Sequence, residues 1–430
     1  MAVNILTGVA RSVGLSTVMR VAGVVTRLLP IPTPTMMVGP GASGRLGQII
    51  NDFGHRKILI VTDATISRLG LMRPMTEELT AGGTEFVVFD AISADAPIDE
   101  IEKGVEIFKA EGCDAIIAFG GGSAMDAAKV IGLSAANNKR AQQLVGYFKG
   151  LHAPPAIYAV PTTAGTGSEV TVAAVVSDKL AKRKLVIADT RIVPTMAALD
   201  PSLMTGLPKD ITAATGMDAL THAIEAFIGH WSSAFTDRMA LTAVSMIYQN
   251  LPVAHATGKD LVAREKMALA ANYAGQAFTR ANVGYVHAIA HQLGGLYHTP
   301  HGLANAIMLP HVLRFLSPAI TAKLAVLALR VGLGKKSEPE AELAQKFLDS
   351  IDAMNARLGI PTHLEALRAK DIPALAHAAC READLNYPVP SYMSQQDCEQ
   401  VIRRVLQKKA LPKTIAKPVA GKAAAKRRGA

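Results

Sequence analysis

Two short stretches of this chain hold side chains able to grip a metal ion. Asp218 and His222 stand four apart in GMDALTHAIE (216–225), and His287 and His291 repeat that spacing in VHAIAHQLGG (286–295). Residues four apart project from one face of a helix. His301 follows in YHTPHG, where Pro300 breaks the local periodicity. One carboxylate and three imidazoles suffice for a divalent transition metal, with a coordination position left for substrate. Such a cation can lower an oxygen's pKa from about 16 to about 7, of order 12 kcal/mol, more than one general base typically supplies. The bland alternative is coincidence, since a His on an apolar helix is most often a hydrogen-bonded core or surface side chain. Five of the twelve histidines and an aspartate gathered in these Gly-, Ala- and Leu-rich segments favour the metal.

A second group of residues has the composition of a phosphate cradle. Gly120, Gly121, Gly122 and Ser123 lie between the apolar run AIIAF and a helical pattern. Bare backbone amides at a helix N-terminus can approach phosphate oxygens, and the helix dipole favours negative charge there. Ser123 is expected as the N-cap, with Asp126 completing a capping box. Met125 excludes GxGxxG, and no Gly-Lys-Ser/Thr follows, so neither dinucleotide fingerprint nor Walker loop is present. Taken alone, the glycines serve equally as a tight strand-to-helix turn. PTTAGTGSE (161–169) adds a second small-residue loop after the run AIYAV. Asp63 ends KILIVTD, where open α/β sheets bind ligands. Its carboxylate would accept from ribose hydroxyls and repel a 2′-phosphate, favouring NAD; capping the helix that begins at Ala64-Thr65 is the other reading.

The elements that must position these groups follow from periodicity. Short apolar runs are expected as strands at 57–62, 85–89, 115–119, 157–160, 170–177 and 184–188, the last two forming a hairpin. Helical patterns at 65–82, 98–111 and up to about 135 alternate with the earlier runs. Continuous apolar strands alternating with helices imply a parallel sheet covered on both faces. After about residue 206 the pattern turns helical: 210–229, 235–250, 260–280, 284–297, 302–316, 319–333, 338–358 and 394–409. An α/β half therefore precedes an all-helical half, without an internal repeat.

Composition narrows the class. At 430 residues, half hydrophobic and 5% aromatic, the chain can bury a large aliphatic core without disulfide staples. Cys113, Cys380 and Cys398 are odd in number and widely spaced, which suits a reducing compartment and excludes a cysteine zinc knuckle. The net charge of +10 suggests nucleic acid until it is located. Ten cations and no acid follow Glu399, so the body before them is neutral. Residues 411–430, rich in Ala, Lys and Pro, are expected to be a solvated, disordered tail, with weak polyanion or membrane-surface adhesion as the alternative. Residues 1–32 read as an extension, with no acid before Asp52. Arg11, Arg20 and Arg27 interrupt its apolar stretch, which falls short of a membrane span, and they form no clean basic face of a transit peptide.

Together GGGSxxDxAK (120–129), PTTAGTGSE (161–169), GMDALTHAIE (216–225) and HxxxH followed by TPHG (287–302) resemble the iron-containing alcohol dehydrogenases. The lactaldehyde reductase, butanol and 1,3-propanediol dehydrogenase branch is the most similar, over roughly residues 33–410; Ala124 departs from the Pro of many members. The resemblance implies an α/β N-terminal dinucleotide-binding domain, Rossmann-like with a parallel sheet, over 33–205, and an all-α C-terminal helical domain over 206–410. It implies Asp218, His222, His287 and His301 as ligands of Fe²⁺ or alternatively Zn²⁺, and His291 as a proton relay. It assigns Gly121, Gly122 and Ser123 to the pyrophosphate, Thr162 and Thr163 to a second cofactor loop, Thr171 and Lys184 to further cofactor contacts, and Asp63 to NAD preference. The function implied is a metal-dependent NAD(H) alcohol dehydrogenase or aldehyde reductase for small primary alcohols, diols or their aldehydes. It would be a cytoplasmic homodimer or larger homo-oligomer with no specific nucleic-acid partner. Hydroxyacid–oxoacid transhydrogenation and a maleylacetate reductase-like activity are the alternatives on the same scaffold. A polyanion-binding protein with a vestigial enzyme body is the alternative from another class.

Overall fold

The computed structural model describes residues 29–181 and 183–407, with Met19 and Gly23. Most of the expected N-terminal extension, and the whole expected basic tail 411–430, lie outside the described residues. Strands β1 (Thr35–Val38), β2 (Lys57–Val61), β3 (Glu85–Phe89), β4 (Ala115–Gly120), β6 (Ala156–Pro161) and β9 (Met196–Leu199) form one parallel sheet. Its order is β1-β9-β6-β4-β2-β3. β5 (Gly146–Tyr147), β7 (Ala173–Asp178) and β8 (Arg183–Ala188) form a smaller sheet in which β7 and β8 pair antiparallel. Every residue of β4 is buried, the signature of a strand covered on both faces. The coverings include α1 (Ala42–Asp52), α2 (Ala64–Arg68), α3 (Arg73–Ala81), α4 (Ile98–Ala110), α5 (Gly122–Asn137) and the short α6 (Ala141–Leu144).

The chain runs from β2 outward to β3, then returns to the other side of β2 as β4. That reversal is the switch point at which open α/β sheets bind ligands beyond the strand ends. Asp63 follows β2, Gly121 follows β4 and Thr162 follows β6, so three loops of interest leave adjacent strands at one edge of the sheet.

From Lys209 onward the described residues are helical: α7 (Lys209–Ile228), α8 (Ala234–Ala256), α9 (Leu261–Ala281), α10 (Tyr285–Tyr297), α11 (His301–Arg330), α12 (Glu340–Leu358), α13 (Ile372–Asn386) and α14 (Gln395–Arg403). From Gly216 to Ile228 every residue of α7 is buried, so Asp218, Thr221, His222 and Glu225 are held inside the molecule rather than in open water. α11 is the one described helix long and apolar enough to cross a membrane by composition, with a mean hydropathy of 1.7 over its most apolar stretch; it packs on α7, α10 and α12.

Several expected elements differ from those observed. The helix expected over 65–82 is two helices, α2 and α3, because Gly70 turns left-handed between them. The strand expected from 170 begins at Ala173, since Ser168–Val170 form a 3₁₀ turn. The two helices expected at 302–316 and 319–333 are, by contrast, present as the two arms of α11, which meet at a kink where Ile320 leaves helical geometry after Pro318. The last helix ends at Arg403 rather than 409. β1, α1, α6, β5, β9 and α13 are not among the elements expected from periodicity.

Candidate metal centre and cofactor cleft

α7 carries Asp218, His222 and Glu225 at spacings of four and three, which aligns them on one face. α10 contributes His287 and His291 one turn apart. His298 closes α10 in a left-handed turn, and Pro300 then starts α11, which opens with His301. These three helices bring one ligand atom from each of Asp218, His222, His287 and His301 within 4.8 Å of one another. His291 is outside that quartet, its ring stacked on His301 at 5.3 Å between centroids.

The donor set suits a divalent cation. Burial pushes His222 down to about 4 and His287 down to about 3, and it holds His301 well below the usual histidine range. All three rings are therefore neutral near pH 7 and present lone pairs. His222 Nδ1, 4.0 Å from Asp218 Oδ2, is buried with no hydrogen-bond partner, a costly arrangement for a polar atom that has nothing to bind. The Nδ2 group of Asn305, one turn after His301, donates to Asp218 Oδ1 at 2.6 Å and lies 3.2 Å from both His287 Nε2 and His301 Nε2. A donor aimed at three of the four ligands marks the electron-rich point they share.

Behind His287 stands Glu225, which the motif reading quoted without a role. Its carboxylate takes His287 Nδ1 at 2.6 Å and accepts from the amides of Gly284 and Val286 at 2.9 and 2.7 Å. Burial pushes this carboxyl up to about 7, against the pull of those amides. The bond to Nδ1 fixes the ring so that Nε2 points toward Asp218. Helical spacing could have found Glu225, which is three residues beyond His222 on the ligand face.

On the sheet side, α5 starts at Gly122 with Gly121 as its N-cap, and no side chain caps it. The expected capping box is absent. Ser123 Oγ instead accepts from the Asp95 amide at 3.0 Å, while Asp126 binds Ser168 Oγ at 2.6 Å and the Val175 amide at 2.9 Å. Asp126 is drawn away by donors from Ser168 of the second loop and from the backbone of β7. The glycines are sterically required here: a Cβ on Gly122 would lie 2.6 Å from Thr166 Cγ2, and Gly120 has φ +153. An uncapped helix N-terminus with two crowded glycines fits a pyrophosphate.

Gly122, Ser123, Thr171 and Lys184 line one cavity of about 530 Å³ with His222, His287, His291 and His301. Asp63, Gly121, Thr162 and Thr163 do not line it. Asp63 and Thr163 flank the glycine loop, with Asp63 Oδ2 3.8 Å from the Cβ position of Gly120 and Thr163 Oγ1 3.6 Å from that of Gly121. Thr162 is buried, its amide donating to the Gly120 carbonyl. Asp63 Oδ1 caps α2 through the amides of Thr65 and Ile66 at 2.8 and 3.1 Å, the other reading of this residue. The Thr171 hydroxyl is 2.8 Å from Lys129 Nζ, and Lys184 Nζ pairs with Asp95 at 2.7 Å.

Comparison with known proteins agrees with this geometry. The family profile described as iron-containing alcohol dehydrogenase matches residues 32–201, and that of the Fe-containing alcohol dehydrogenase family, C-terminal, matches 212–406. An NAD-dependent methanol dehydrogenase of Bacillus methanolicus is 37% identical over 375 residues, 87% of this chain and 98% of that protein. A 1,3-propanediol dehydrogenase of Citrobacter freundii is 39% identical over 370 residues, 85% of this chain and 95% of its own. A crystal structure of 1,3-propanediol oxidoreductase superposes with a TM-score of 0.85 at 37% identity, covering 88% of this chain and 100% of that one.

Proposed function

The chain belongs to the iron-containing alcohol dehydrogenase family, and we propose that it interconverts small primary alcohols or diols and their aldehydes in this cleft. It is an NAD-dependent, metal-dependent oxidoreductase, and the substrate class follows the relatives named for methanol and 1,3-propanediol. One observation carries the reading: Asp218, His222, His287 and His301 bring four ligand atoms close together, and the three histidines line one cavity with Gly122 and Ser123 at the start of α5.

In this reading Asp218, His222, His287 and His301 hold Fe²⁺ or Zn²⁺. When bound, the cation supplies Lewis acidity to the substrate oxygen and the nicotinamide supplies the hydride acceptor. Asp218 contributes the one negative charge of the set, and the neutral rings add lone pairs without repelling a cation. Glu225 keeps His287 aimed, and Asn305 tethers Asp218. Gly121, Gly122 and Ser123 receive the pyrophosphate at the helix N-terminus, with Thr162, Thr163, Thr171 and Lys184 along the same ligand. His291, in the cavity but outside the quartet, takes the proton released by the alcohol.

We further assign residues 33–205 to the cofactor and 206–410 to the metal, and place the enzyme in the cytoplasm as a homo-oligomer. The burial of all three cysteines, Cys113, Cys380 and Cys398, supports a reducing compartment. The test is an aldehyde and alcohol panel with NAD(H), run with elemental analysis before and after extensive chelation. Turnover should vanish with the metal, and His222→Ala and His301→Ala should lose metal while still binding NAD⁺. Undiminished turnover in metal-free protein would overturn the proposal.

A further inference from the structure

Glu382, on α13, comes from a part of the chain that no motif marked. Its side chain is 21% exposed and reaches the same cavity. Oε1 lies 2.6 Å from His291 Nδ1 and accepts from the Tyr387 hydroxyl at 2.6 Å; Oε2 accepts from Gln292 Nε2 at 2.7 Å. A phenol, a carboxamide and an imidazole edge converge on one carboxylate. With two of those partners donating, the carboxylate acts as acceptor, and the shared hydrogen belongs to His291 Nδ1.

The arrangement duplicates the one beside it. His287 and His291 are neighbours on α10, and each has Nδ1 held at 2.6 Å by a carboxylate from another helix, Glu225 on α7 or Glu382 on α13. For His287 the consequence is that Nε2 faces Asp218. For His291 the same restraint on Nδ1 leaves the ring outside the metal quartet, lining the cavity.

We propose that Glu382 is a positioning residue of the active site: it holds His291 as the Nδ1–H tautomer, with the Nε2 lone pair open to the proton of the alcohol. This rests on the dehydrogenase reading of the cleft. The proton leaves the substrate hydroxyl for Nε2 while Nδ1–H stays bonded to Glu382, so the carboxylate neither gains nor loses a proton. Without that acceptor the ring is free to carry its hydrogen on Nε2, which removes the lone pair from the cavity.

The experiment uses ¹⁵N-histidine-labelled, Zn²⁺-loaded enzyme, with His291 assigned by loss of its signal in His291→Asn. The wild type should show Nδ1–H at His291. Glu382→Met should shift it toward Nε2–H and lower kcat for alcohol oxidation by about tenfold or more, while KM for NAD⁺ and metal per chain stay within about twofold. Glu382→Asp, which retains an acceptor, should recover part of kcat and the Nδ1–H signal, and supplies the comparison if Glu382→Met does not fold. An inactive wild type would overturn the dehydrogenase reading and this role with it. An active wild type whose Glu382 variants keep kcat within about twofold and retain Nδ1–H would overturn this role alone.

Discussion

The two carboxylate oxygens of Asp63 have different neighbours. Its Oδ1 caps α2, while Oδ2 lies beside the glycine loop proposed to hold the cofactor. The variant Asp63→Gly separates the cap from the proposed cofactor selection. Glycine replaces an N-cap aspartate at a cost of only a few tenths of a kcal/mol, so thermal stability should hardly move. The NADP⁺/NAD⁺ ratio of kcat/KM should rise, because the charge that repels a 2′-phosphate is gone. An unchanged ratio, measured with both cofactors at saturating alcohol, would remove Asp63 from cofactor selection and leave it a helix cap. The residues behind the ligands differ in how readable they were. Glu225 falls on the helical face already marked by Asp218 and His222. Glu382 stands 91 residues from His291, and no local spacing links the two.

At the scale of elements, the metal centre depends on how closely α11 approaches α7. Gly302, the residue after His301, makes that approach possible: a Cβ there would lie 2.4 Å from the Ala214 carbonyl oxygen and 3.3 Å from Asp218 Cβ. Backbone on the facing helix cannot turn aside as a side chain would. Gly302→Ala should therefore push the start of α11 away from α7, costing about 1–3 kcal/mol of stability by overpacking. It should also weaken metal retention, since His301 would move with its helix while Asp218 stays. The check is Tm with and without chelator: the stabilisation conferred by metal should shrink in the variant. An equal metal-dependent rise in Tm would mean the helix contact does not set the ligand geometry.

At the scale of the whole molecule, a buried lysine ties the sheet half to the helical half. Lys129 Nζ on α5 donates to Ser168 Oγ, Thr171 Oγ1 and the carbonyls of Thr171 and Ala173. The loop it grips packs against α9, where Gly167, at φ +60, meets Gly275 and the Ala271 carbonyl. Burial drives the Lys129 ammonium from 10.5 down to about 8. Between those values the unfolded chain holds a proton that the folded one has released, so this group's contribution to stability rises with pH across that window. Lys129→Met lacks the term. The stability of the wild type minus that of the variant, from urea unfolding, should rise between about pH 8 and pH 10. A gap independent of pH would show that Lys129 keeps its proton in the fold.

The sequence alone determined whatever repeats locally. Strands β2, β3 and β4, the helix after the glycines, the helices carrying Asp218 and His287, and the four ligands were legible because side-chain periodicity and short motifs are properties of neighbouring residues. Tertiary structure decided the rest. β1 and β9 are short apolar segments that become strands only by pairing with distant ones, β9 between β6 and β1, and β1 on β9 at the sheet edge. Asp126 does not make the expected helix cap because Ser168 and the Val175 amide, 42 and 49 residues away, donate to it instead. Glu382 and Asn305 acquire their places at the centre only when α13, α11, α10 and α7 pack together. Hydrogen bonds between distant segments are set by the packing of whole helices, and no spacing along the chain encodes them.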